Sequence, residues 1–151
     1  KDLIGSKGVM YLGRGTSFPL ALEGALKFKE ISYIHAEGYP AGEMKHGPLA
    51  LIEKGLPVVC IVPSGSLFHK SISNIQEVIS RGGKILMITD DTALQADSDN
   101  IWEIFRLPKV NPIIETLVYS IPIQMLAYYT AVELGNDVDQ PRNLAKSVTV
   151  E

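Results

Sequence analysis

The sequence predicts an α/β fold, a three-layer α/β/α sandwich around a central parallel sheet. Short apolar runs rich in Val and Ile alternate with longer stretches of helical period. The runs are apolar almost throughout rather than at alternate positions, as befits strands covered on both faces. Gly, Pro and Asp punctuate the joins between them.

Val9–Gly13 reads as a buried strand, with Arg14-Gly15-Thr16-Ser17 as the tight turn after it. A helix starts there: Thr16 or Ser17 is the expected cap, and Pro19 sits in a first turn where its missing N–H costs nothing. Leu22, Ala25, Leu26, Ile31 and Ile34 carry an apolar face as far as Tyr33 or His35. Residues 37–48 hold Gly38, Pro40, Gly42, Gly47 and Pro48, so they read as largely loop, followed by a helical turn at 49–53. Residues 57–62 are the second strand, and a helix over 66–80 follows, ended by Gly82-Gly83 where left-handed dihedrals are needed. Residues 84–89 form the third strand and 101–107 a fourth of less uniform pattern. Asn111-Pro112 opens a long helix to Gly135, with a kink or local break expected at Pro122. The tail, 136–151, is polar, with one short helix expected after Asp139. Right-handed crossovers between parallel strands then put helices on both faces. Ligands in such folds collect beyond the carboxyl ends of the strands, after Gly13, Val62 and Thr89.

Composition narrows the function. The chain has 151 residues, with 14 Lys+Arg against 17 Asp+Glu and a net charge of −3. That length suits one domain with a real core, and 46% hydrophobic against 21% charged residues excludes wholesale disorder. A lone Cys60 forms no internal disulfide and fits a reducing compartment, so a cytoplasmic location is expected. A pI near 5.6 offers no electrostatic footprint for nucleic acid. No apolar run approaches the ~20 residues of a membrane span, and no signal-peptide pattern is read. The sequence opens on Lys1 rather than Met, which suggests a piece of a longer protein.

Gly13-Arg14-Gly15-Thr16-Ser17 joins a strand to a helix N-terminus, a place that favours anions. It departs from the dinucleotide fingerprint at Phe18, where a third Gly is required. A tight turn plus cap, or a sugar or phosphate contact, both fit it. Glu23, Lys27 and Glu30 fall on one side of the first helix, either as a solvated face with a Glu23–Lys27 pair or as proton-handling groups. His46, in Lys45-His46-Gly47-Pro48, has an ordinary pKa of about 6.5 and exchanges protons near neutrality. Three scattered His and one strand Cys lack metal-ligand spacing, so no metal is expected, and with the dinucleotide fingerprint broken at Phe18 no cofactor is expected either. Cys60 reads as an inert core thiol. Lys146 on its own is an ordinary tail lysine, and becomes a carbonyl nucleophile only where its pKa is lowered.

The runs EGALKFKEISYIHAE at 23–37, GEMKHGPLALI at 42–52 and DVDQPRNLAKSVTVE at 137–151 resemble the isomerase region of the glutamine–fructose-6-phosphate aminotransferase family. The first two blocks are shared more loosely among sugar isomerase (SIS) domains; the third is more specific. The likeness covers essentially the whole chain, as the second of two SIS repeats including the tail 136–151. It implies a flavodoxin-like sheet of about five strands, and an enzyme making glucosamine 6-phosphate from fructose 6-phosphate with ammonia released from glutamine. By that resemblance His46 opens the sugar ring, Glu30 moves a proton between C1 and C2 with Lys27 beside it, and Lys146 forms an imine with the open-chain ketose. Thr16, Ser17 and Ala145 are the candidate substrate contacts, although Gly13–Ser17 only occupies the place of the family's phosphate loop in this repeat and is not that loop. The histidine loop of the family reaches the neighbouring subunit's site, which implies a homodimer.

Two parts of the family's machinery are missing. The Ser/Thr-rich phosphate loop of the first repeat is absent, and so is the glutaminase domain with its terminal cysteine. The chain is therefore expected to fold alone and to be inactive alone. The competing reading is a regulatory phosphosugar-binding module of the same fold, using Thr16 and Ser17 but not Lys146. A phospho-receiver domain wants acidic residues after the first strand, where this chain has Arg14-Gly15-Thr16-Ser17. A deglycase-type relative fits the His46 block but not the ending.

Overall fold

The computed structural model describes residues 3–96 and 99–144. Strands β1 (Val9–Gly13), β2 (Ala36–Pro40), β3 (Pro57–Ile61), β4 (Lys84–Thr89) and β5 (Ile101–Arg106) form one sheet in the order β2-β1-β3-β4-β5. Every pairing is parallel. Helices α1 (Ser17–Ser32) and α3 (Pro112–Glu133) cover one face; α2 (Phe68–Ile79) and two 3₁₀ turns, Ala41–His46 and Pro48–Leu51, cover the other. The three-layer sandwich follows from the strand pattern. Tyr11, Val59, Ile61 and Ile88 pack under α1 and α3, while their neighbours Leu12, Val58, Cys60 and Met87 pack under α2.

The expected loop over 37–48 is half wrong. Its first part is the edge strand β2, and Ala41–His46 is a 3₁₀ turn. Gly38 misled the reading because it serves packing rather than a turn: a Cβ there would lie 2.7 Å from the Ala21 carbonyl oxygen, so α1 settles directly on the strand. Pro40 is tolerated because it ends an edge strand. The expected side-chain cap of α1 is also absent. Thr16 is itself helical, with φ −63° and ψ −18°, and the Ser17 and Phe18 N–H groups donate instead to the Arg14 and Gly15 carbonyls. Asn111 does cap α3, its Oδ1 accepting from the Ile113 N–H at 3.0 Å.

α3 runs unbroken through Pro122. Through Leu144 the described tail is turns, with no helix after Asp139. Gly82 takes the left-handed φ of +85° expected of it. Because β1 lies between β2 and β3, the sheet's switch point opens between the loops after β1 and β3.

Candidate functional site

α1 carries two candidate groups at opposite ends. Near its carboxyl end, Lys27 Nζ donates to Glu30 Oε2 at 2.9 Å, with the side chains 40% and 26% exposed. This ion pair, and not the expected Glu23–Lys27 pair, is the one formed. The hydrogen bond to Glu30 holds the Lys27 ammonium above its ordinary range; slight burial opposes this, and the charges of Glu30 and Glu23 add to it. The result is a carboxylate and an ammonium held together and open to solvent.

The tail is fastened at this same end. α1 stops at Tyr33, whose φ of +61° is left-handed. Asn136 Nδ2 donates to the Ile31 and Ser32 carbonyls at 2.9 and 3.3 Å. The Arg142 N–H donates to Tyr33 Oη at 2.9 Å, and the Arg142 guanidinium carbon lies 4.0 Å from the Tyr33 ring centre. Ala145 and Lys146, further along the tail, lie outside the described residues.

Thr16 and Ser17 stand at the other end of α1, about 20 Å from Glu30 along the helix axis. They line a crevice of about 210 Å³ at the switch point with Arg14, Ser64, Ser66 and Glu115. Thr16 is exposed and Ser17 buried. Arg14 Nη1 donates to Asn74 Oδ1 at 3.0 Å, tying the loop to α2. Asp90, at the end of β4, is only 7% exposed and braces the opposite wall. It accepts from the Ser64 N–H at 2.5 Å, the Ser64 hydroxyl at 2.8 Å and the Tyr119 hydroxyl at 3.0 Å. Burial opposes its charge, but these bonds outweigh burial and keep its carboxyl below the usual carboxylate range. Burial and then the Asp90 charge push the Glu115 carboxyl up, against the pull of Lys109.

His46 sits across the sheet from α1, at the end of a 3₁₀ turn whose Ala41 and Met44 pack with α2. Its side chain is 76% exposed and Nε2 lies 3.9 Å from Glu43 Oε2. Lys45 Nζ, 3.1 Å from Glu77 Oε1, ties the turn to α2, and Gly47 at φ +149° ends it. Thus Lys27 and Glu30 come together, and Thr16 and Ser17 come together. His46 joins neither pair within one chain. Among the described residues no cluster of His, Cys, Asp and Glu could hold a metal ion, and no helix is long and apolar enough to cross a membrane.

A family model described as "SIS domain" matches residues 2–134. The glutamine–fructose-6-phosphate aminotransferase (isomerizing) of Sphingobium yanoikuyae is 60% identical over 149 residues, covering 99% of this chain and 96% of that protein. The chain belongs to the SIS domains of this aminotransferase family. The like-named protein of Agrobacterium fabrum (strain C58 / ATCC 33970) is 61% identical over the full 151 residues. The SIS domain described here spans only 25% of its length. A solved structure, the C-terminal domain of glucosamine-fructose-6-phosphate aminotransferase from Francisella tularensis, matches with a TM-score of 0.86 at 44% identity. That match covers 92% of this chain and 39% of the other. Among the residues of this SIS domain, sequence reading passed over Tyr33, Asn136 and Asp90. Tyr33 carried no signal, since a left-handed helix end usually shows as Gly. Asp90 directly follows the third strand and shows in the sequence only as one of the Asp residues that punctuate the joins.

Proposed function

We propose that this chain is the second SIS domain of a fructose-6-phosphate-aminating enzyme, and that it supplies the groups that move protons on the sugar. The observation that carries the reading is the Lys27–Glu30 contact, an acid–base pair left open to solvent at the helix end where the tail is fastened. His46 exchanges protons with the ring oxygen and the anomeric hydroxyl, opening the hexose 6-phosphate to its ketone. Lys146 adds its amine to C2 and water leaves, giving an imine; ammonia released from glutamine then replaces the lysine at C2. Glu30 takes a proton from C1 and returns it to C2. Its Oε2 is engaged by Lys27, which leaves Oε1 for the substrate. Lys27 also holds the negative charge that grows on the substrate as the proton leaves. The sheet stands between Glu30 and His46, which supports a homodimer in which His46 serves the partner's site. A glutamine-hydrolysing domain and the first SIS repeat, with its phosphate loop, belong to the remaining length of the full enzyme, and the setting is cytoplasmic. The 151-residue chain alone is inactive.

A second reading has one observation in its favour. The switch-point crevice of Thr16 and Ser17 faces the N-termini of α1 and α2, some distance from Glu30, as a separate regulatory phosphosugar site would. Borohydride reduction of the full-length enzyme with fructose 6-phosphate decides between them. An adduct on Lys146 is expected. Sugar that binds without forming one overturns the catalytic reading.

A further inference from the structure

We propose that the groove between α3 and β5 seats a helix supplied by the segment directly before Lys1 in the full-length enzyme; this rests on the chain being the second SIS repeat, with the first ahead of it. On the face of the sheet that α1 and α3 share, α1 lies over β1 and β2 with α3 beside it. No described helix lies over β5 on that face. Leu86, Trp102 and Phe105 therefore floor an open groove, and Ile121, Met125 and Tyr129 of α3 form its wall. Its larger part, beside Ile121 and Met125, encloses about 520 Å³. Phe105, Ile121, Met125 and Tyr129 are 48%, 55%, 47% and 60% exposed. A helix with apolar side chains on both flanks is one that is covered on both, and α1 covers only one flank of α3.

Two observations name the occupant. Leu3 and Ile4 line the end of the groove where the strands begin, together with Trp102 and Glu133, so the chain approaches β1 from inside it. The turn that follows is of the kind that ends helices. Gly5 takes φ +92°, and the Leu3 carbonyl accepts from the Ser6 N–H at 3.4 Å and the Ser6 hydroxyl at 2.8 Å. A helix closing at this turn runs along the groove antiparallel to the strands, as α1 and α3 do.

The groove sets the size and character of that helix. From Val118 to Glu133 it follows α3 for about 22 Å, room for about 15 helical residues. One face of the helix is apolar at every third or fourth position, to fill the groove. Its last turn carries basic residues, which suit a helix carboxyl end and stand opposite Glu103 and Glu133. A segment joined to the chain at the mouth of the groove also meets it at high effective concentration, which a second copy does not.

The test places the photocrosslinker p-benzoylphenylalanine in the full-length enzyme at Phe105 or at Tyr129 and maps the crosslinked peptides. Both sites are partly exposed aromatic residues outside the catalytic groups, so both variants are expected to keep wild-type turnover. Tyr129, which lines the same end as Leu3, is expected to capture residues within about two helical turns of Lys1. Phe105 lies about 10 Å beyond Trp102 along β5 and is expected to capture residues about two turns earlier. Capture of any other segment or of a second copy, or no crosslink at all, overturns the proposal. The encoded residues before Lys1 give a check that no substitution disturbs: about 15 residues without the apolar period, or broken by Pro midway, overturn it as well. Capture of the body of the first repeat fails the docking alone. A full-length protein with no SIS repeat ahead of this one fails the parent reading instead.

Discussion

Lys27 Nζ and Glu30 Oε2 lie 2.9 Å apart, one turn from each other near the carboxyl end of α1, with both side chains partly in solvent. A pair so exposed contributes only about 0–1 kcal/mol to folding. Glu30→Gln is therefore expected to leave the thermal midpoint nearly unchanged. In the full-length enzyme it lowers the exchange of the sugar's C1 proton with D2O, and product formation, by ~10²–10⁴-fold. Exchange at the wild-type rate would remove Glu30 from the proton path. The raised Lys27 pKa also sets a pH window. Its stabilising contribution is complete below the ordinary lysine value of about 10.4 and is lost only as pH rises through the higher folded value.

Asp90 gives the opposite pH dependence. Its folded carboxyl lies below the ordinary value of about 3.9, so the stability it contributes is present above that pH and disappears as pH falls through the folded value. Asp90→Asn leaves the Ser64 and Tyr119 donors poorly matched in a buried place and is expected to cost about 2 kcal/mol at pH 7. Urea melts of the 151-residue chain at pH 7 and pH 3.5 measure this. The gap between wild type and variant should shrink at the lower pH.

Gly24, in the middle of α1, sets two effects against each other. Alanine improves helix propensity by about 1 kcal/mol. The added Cβ, however, would stand 2.7 Å from the ring of Tyr11, which is wholly buried and also packs against Phe28. Overpacking of this kind costs about 1–3 kcal/mol, so Gly24→Ala is expected to be destabilising by about 1–2 kcal/mol in denaturant melts. A stabilised variant would mean that the ring has room to move.

Cys60, buried in β3, should be chemically silent. Burial pushes its thiol well above the ordinary range, so the thiolate that reacts is scarce at neutral pH. A disulfide reagent at pH 8 is expected to label the native chain only at the rate of unfolding, and stoichiometrically in urea. Fast labelling of the native protein would contradict that burial.

The layers of the fold were legible because burial on both faces leaves an unmistakable mark in residues such as Val58, Val59 and Ile61. β2 was hidden because its Gly38 and Pro40 signal turns by local chemistry, while the reason for Gly38 is the approach of α1, a tertiary fact. The contact candidates were legible as residue types. The nearness of Lys27 and Glu30 was legible from their spacing on one helix face; the place of His46 was not, since it depends on how its turn packs with α2 across the sheet. The Tyr33 contact was invisible because its partner, Arg142, lies more than a hundred residues away in sequence.

The central claim is that Glu30 and His46, on opposite sides of one sheet, complete each other only between subunits. Mixing the full-length variants Glu30→Gln and His46→Gln, each inactive alone, tests it directly. Reassociation of equal amounts makes half the dimers mixed, each with one intact site, and about a quarter of wild-type activity should return. If both residues act within one subunit, the mixed dimers stay as inactive as their parents, and the account is wrong.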